Sequence, residues 1–159
     1  MCDYSLMAVP NRLAQEGEEL MIHRFYTGSL GLASSAELNR VACGTPAASG
    51  FWSMLKQFFC LQAIDAVCAV CIPPGARLEL CGLPIPMQRR LGVGPLEQVT
   101  FTQITASANA YRDAVRFRNG REVRLQELRE GIRVRVLDLS FAQEINLETI
   151  RESAALHLR

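Results

Sequence analysis

Cys2 has both the side chain and the position for covalent chemistry. Removal of the initiator methionine, which a small second residue permits, would leave it with a thiol and a free α-amine. Such an amine, with an unperturbed pKa near about 8, can act as a general base. Asp3, Tyr4 and His23 are the side chains that could assist, provided the N-terminus pairs beside the strand carrying His23. The plain alternative is a small residue tucked into a first strand, because the surroundings of a thiol decide its reactivity. Cys68 and Cys71 form a Cys-x-x-Cys, a spacing used for zinc and for redox work. They sit inside the apolar run Ala66–Ile72, however, and residues three apart on a strand point to opposite faces. A metal knuckle needs a polar turn and a second pair at matching spacing, and neither follows. With His23 and His157 the only histidines, a multi-histidine metal site is ruled out. Buried thiols, no metal and no cofactor are therefore expected.

A second kind of chemistry is anion binding. Thr27-Gly28-Ser29-Leu30-Gly31 has the look of an anion-holding loop, but it lacks the lysine and the strand–loop–helix setting of a phosphate loop. Eight arginines lie between Tyr111 and Arg135, against Asp113, Glu122, Glu127 and Glu130. Arg116, Arg118 and Arg124 are the candidate ligand-binding residues among them. A solvated, internally paired face is the bland reading, with Glu122 opposite Arg116. Nucleic-acid binding across such a face usually interleaves aromatics for base stacking. Phe117 points the other way and leaves only Tyr111 nearby, so nucleic acid is not favoured.

These side chains depend on strands to place them. Ala114-Val115-Arg116-Phe117-Arg118 alternates apolar and charged residues, then Asn119-Gly120 supplies a hairpin turn and Arg121–Leu125 alternates again. A two-residue loop would pair Val115 with Arg124 and mix the faces. A three-residue loop, Arg118-Asn119-Gly120, pairs Val115 with Val123 and puts Phe117 and Leu125 on their side. Ile132–Val136 makes a third strand with its even positions buried, and Arg133 and Arg135 then join the wet face. Leu137 and Leu139 break that parity and predict a bulge or strand end near Val136. Gln98–Ile104, Ala66–Ile72, Ala76–Cys81 and Glu19–Tyr26 read as further strands.

Between them, residues 11–17 read as a polar connector, and 27–50 as a long irregular loop with a helical turn near Ala36–Arg40. Residues 82–95 read as a second irregular segment carrying Arg89 and Arg90. Phe51–Gln62 predicts a helix with a wide apolar face, suited to covering the sheet, to a lid, or to a second subunit through Phe51, Trp52, Leu55, Phe58 and Phe59. Asn146 caps a predicted C-terminal helix over 146–158.

At 159 residues the chain reads as one domain with a core of its own. Its 17 basic and 16 acidic side chains nearly cancel, which argues against a whole-protein field that gathers nucleic acid. Lys56 is the only lysine. No signal peptide or membrane-crossing run is legible, so the six cysteines read as reduced thiols in a cytoplasm.

The opening Met1-Cys2-Asp3-Tyr4-Ser5-Leu6, with Asn11-Arg12 and Gly17-Glu18, resembles the start of a group of small bacterial proteins of unknown function. The run Cys71–Gly75 and the hairpin at Asn119-Gly120 are similar to theirs too. The resemblance covers about half the chain and implies no activity, cofactor or catalytic residue.

The expected architecture is mostly β, with α+β as the variant. It is a small antiparallel barrel or sandwich of about six or seven strands over 66–139 and the N-terminal strand, covered by the 51–62 helix. The expected function is a cytoplasmic binding or regulatory module for an unknown small molecule or protein, away from the membrane, with homo-oligomerisation expected through the aromatic helix. An enzyme built on Cys2 is the rival, and nucleic-acid binding through the hairpin arginines the third reading.

Overall fold

The computed structural model describes residues 6, 8–43, 67–105 and 110–140. The expected helices over 51–62 and 146–158, and with them Phe51, Trp52, Leu55, Phe58 and Phe59, lie outside these residues.

Alternation builds one nine-stranded sheet, curled into a half-barrel. The strands are β1 (Asn11–Leu13), β2 (Glu19–Arg24), β3 (Leu30–Ser34), β4 (Ala69–Cys71), β5 (Arg77–Cys81), β6 (Leu96–Gln103), β7 (Asp113–Phe117), β8 (Glu122–Arg124) and β9 (Arg133–Asp138). Their order across the sheet is β1-β4-β3-β2-β9-β5-β6-β7-β8, antiparallel throughout except for the parallel β1–β4 pair. The inner face gathers Leu20, Ile22, Leu78, Leu80, Val99, Phe101, Val115, Phe117, Val123, Val134 and Val136 into the main core. A smaller cluster of Leu6, Val9, Phe25, Ala33, Val67 and Ala69 packs with Leu38 and Val41 of helix α1 (Ser35–Cys43).

The hairpin has the register that parity demands. Val115 pairs with Val123 and Arg116 with Glu122, and the Phe117 N–H donates to the Arg121 carbonyl at 2.8 Å. The loop is therefore Arg118-Asn119-Gly120, with Gly120 at φ +82° as the left-handed residue. The bulge near Val136 is present as well. Leu78 pairs with Val136 but Arg77 with Asp138, so Leu137 is the extra residue. Leu125 stays buried but begins a short 3-10 turn (Leu125–Glu127) instead of ending the strand.

Four expectations change. The sheet has nine strands, not six or seven, and is open rather than a closed barrel or sandwich. Residues 11–17 hold β1, which escapes a hydrophobic-alternation reading because an edge strand joined by main-chain bonds needs little apolar surface. Within 27–43, β3 stands where irregular loop was expected and the expected helical turn near Ala36–Arg40 is part of the longer α1, while 44–50 lie outside the described residues. Every residue of β3 is buried, and a Cβ on Gly31 would lie 2.6 Å from Leu6 Cδ1 and 3.0 Å from the Phe25 ring. Its small residues serve close packing on both faces, and composition alone mistakes that for a loop. In 82–95, the helix α2 (Ile85–Leu91) starts after Pro84 with Pro86 in its first turn, and stops at Gly92 with φ +67°. The prolines and glycines that suggested irregularity are its end signals.

The open sheet is drawn toward closure by one side chain. Gln126, in the 3-10 turn after β8, donates from Nε2 to the Leu30 carbonyl at 2.7 Å. Its Oε1 accepts from the Leu30 N–H at 2.9 Å. One amide thus supplies both bonds that Leu30, past the end of the short β4 pairing, does not receive from a strand.

Candidate anion-binding cleft

Period-two alternation sends the arginines of β5, β7, β8 and β9 to the outer face. Cross-strand register then sets them in rows. Arg77 lies opposite Thr100, Thr100 opposite Arg116, and Arg116 opposite Glu122. In the next row Glu19 faces Arg135, Arg135 faces Glu79, and Glu79 faces Gln98.

On this face a cleft of about 220 Å³ is lined by Arg77, Gln98, Val99, Thr100, Arg116, Phe117 and Arg118. Three guanidiniums and no carboxylate line it. Two of the arginines are tied to neighbouring strands. Arg116 donates from Nε to Glu122 at 2.8 Å and from Nη2 to Thr102 Oγ1 at 3.4 Å. Arg118 donates to Gln98 Oε1. Arg77 lies near enough to Asp138 to help hold that carboxyl below its ordinary range, although the Ser140 hydroxyl and N–H do most of this. The hairpin tip is fixed in turn: Asn119 Nδ2 donates to the Leu91 carbonyl at 2.9 Å, and Arg121 donates to the Arg90 carbonyl.

A smaller cleft of about 130 Å³ is lined by Glu19, Ser35, Glu79, Cys81, Arg133, Val134 and Arg135. Here two carboxylates meet two guanidiniums, and Arg135 bonds Glu19 at 2.8 Å, which holds the Glu19 carboxyl low. Its charges already answer one another, so it is the weaker anion site.

Of the sequence-predicted ligand residues, Arg116 and Arg118 line the larger cleft. Arg124 shares their face, opposite Ala114, without lining it. Arg77, Gln98 and Thr100 were not anticipated. Local alternation puts them on the polar face, but only the strand order brings them to the hairpin.

Cys2, Asp3 and Tyr4 lie outside the described residues, so their assembly with His23 has no geometry here. His23 itself is half-buried on β2, its ring edge-on to Phe25 at 5.1 Å. Its Nδ1 lies 3.4 Å from Glu130 Oε1. Burial pushes its pKa below the ordinary histidine value, with Glu130 opposing in part. Among the described residues no group of three His, Cys, Asp or Glu side chains could hold a metal ion.

The cysteines depart from expectation at one position. Cys68 and Cys81 are free thiols, but Cys71 is disulfide-bonded, so the reading of every cysteine as reduced fails there. Spacing along the chain carries no information about which cysteine meets Cys71 in space. No helix among the described residues is long and apolar enough to cross a membrane.

Comparison with known proteins finds no matching family model, no matching curated protein and no matching solved structure.

Proposed function

We propose that this chain is a binding module whose outer sheet face takes a small anionic ligand in the cleft of Arg77, Arg116 and Arg118. The observation that carries this reading is the lining: three guanidiniums, no carboxylate, and two neutral hydrogen-bonding side chains, Gln98 and Thr100. Guanidinium forks suit carboxylate and phosphate oxygens, and held side chains lose little freedom when a ligand arrives.

The test is calorimetric titration of the full chain with small anions at low ionic strength. Saturable binding that weakens with salt and with Arg116→Lys supports the module. Absence of binding by every anion at millimolar concentration overturns it. Nucleic acid is the weaker ligand on this face, because the only aromatic lining the cleft, Phe117, is itself buried.

The compartment and assembly belong to the same proposal. The free Cys68 and Cys81 thiols support a reducing cytoplasm, while the Cys71 disulfide supports an oxidising one. Thiol counting on unreduced protein from cells decides between them. Homo-oligomerisation through Phe51, Trp52, Leu55, Phe58 and Phe59 rests on their apolar spacing, and light scattering of the wild type and Trp52→Ala tests it. Kinship with the small bacterial proteins that share the Met-Cys-Asp-Tyr-Ser opening is inferred from that motif, and it brings no activity with it.

A further inference from the structure

We infer that the ligand group seated among Arg77, Arg116 and Arg118 is the phosphoryl group of a small phosphate monoester, bound as its dianion. This inference rests on the anion-binding reading of the same cleft and sharpens it to a chemical class.

Three features select the class. The first is directional. The three arginines flank β6, with Arg77 on β5 and Arg116 on β7 both in register with Thr100, and Arg118 in the hairpin loop just past the end of β7. Their side chains reach the cleft from different sides. A phosphoryl group presents three strong acceptor oxygens that diverge from one atom, so each can meet its own guanidinium. A planar carboxylate has two oxygens with all their lone pairs in one plane, so guanidiniums converging from outside that plane do not each find an oxygen of their own.

The second feature is size. At about 220 Å³ the cleft falls below the roughly 300–1,000 Å³ of pockets that enclose a whole drug-sized ligand. It holds a compact head and leaves the organic body outside. The third is charge. Glu122 and Asp138 flank the arginines from the adjoining strands, Glu122 on the Nε edge of Arg116 and Asp138 opposite Arg77. They offset part of the positive field without entering the lining. Three arginines against these two carboxylates leave one net positive charge, enough to favour an anion over a cation, and the choice of the dianion rests on three guanidiniums each donating to a separate oxygen.

The test is isothermal titration of the full chain with inorganic phosphate, phenyl phosphate, sulfate and succinate, repeated for Arg77→Ala, Arg116→Lys, Arg124→Ala and Arg135→Ala. Phosphate and phenyl phosphate are expected to bind, with phenyl phosphate about tenfold weaker at pH 5 than at pH 7 as its dianion protonates near a second pKa of about 6, and inorganic phosphate, whose second pKa is higher, losing more. Sulfate is expected to bind at pH 7 with no such pH dependence. Arg77→Ala and Arg116→Lys should each weaken binding by about 10- to 100-fold, with circular dichroism unchanged. Arg124→Ala and Arg135→Ala should change it little.

Succinate binding as tightly as phosphate, or a flat pH profile for phosphate, overturns the phosphoryl assignment and leaves the anion-binding module standing. Equal losses in all four variants show a diffuse field instead of a built cleft, and overturn the assignment as well. Failure of all four anions to bind removes both readings.

Discussion

Gln126 ties the turn after β8 back to β3 through two hydrogen bonds, and substituting it tests the architecture directly. Gln126→Met keeps the length and the apolar stem but removes the amide. Two hydrogen bonds go with it, to the N–H and the carbonyl of Leu30, a residue only 3% exposed. Water has little access to either group, so each is left unsatisfied at a cost of about 1–3 kcal/mol. Allowing for partial relaxation, the loss is about 2–4 kcal/mol, or a Tm fall on the order of 5–15 °C for a chain of this size. Urea and thermal unfolding followed by circular dichroism would measure it. Gln126→Glu supplies an internal control. Its ionised carboxylate can still accept from the Leu30 N–H but faces the Leu30 carbonyl with no proton to donate. The protonated acid restores the second bond, so folding raises the pKa of the introduced carboxyl. Its stabilising contribution is then present at low pH and lost as pH rises through that raised value. The gap to wild type should accordingly be wider at pH 7 than at pH 4. A Gln126→Met protein within about 0.5 kcal/mol of wild type would refute the claim that this amide stands in for a strand.

Three further outcomes follow from the same geometry. Gly31→Ala should lower the urea midpoint by the equivalent of about 1–3 kcal/mol, because the new methyl meets Leu6 and Phe25. Asn119→Ala removes the bond to the Leu91 carbonyl and the Oδ1 acceptor of the Arg121 N–H, and should cost about 1–2 kcal/mol by denaturant titration. Glu18 is held below its ordinary pKa chiefly by its bond to Arg12. Its contribution is therefore present above the ordinary glutamate value of about 4.5 and lost as pH falls through the depressed value, and Glu18→Gln should flatten urea stability measured between neutral and acid pH.

The second half of the chain was legible because strand parity is arithmetic. Once Val115 and Val123 must share a side, the loop length follows, and Leu137 and Leu139 announce the bulge by breaking step. The first half was not, for opposite reasons at different places. Gly31, Ser34 and their neighbours are small because two packing layers press on β3. Pro84, Pro86 and Gly92 delimit a helix too short to show its own period. Arg116 and Arg118 could be picked out locally. Arg77, Gln98 and Thr100 could not, since β5 meets β6 and β9 only through long-range order, and alternation says which face a residue takes but not which strand lies beside it.

An open sheet has two rims, and each invites a stray chain to add itself. Among the described residues the two outermost strands, β1 and β8, are each three residues long, with Asn11 exposed and Arg12 paired with Glu18 on one, and Glu122 and Arg124 exposed on the other. Such short, charged borders offer an incoming strand few rungs and a poor surface to settle on. The protein can thus keep a nine-stranded half-barrel without closing it and still resist growing into a fibril.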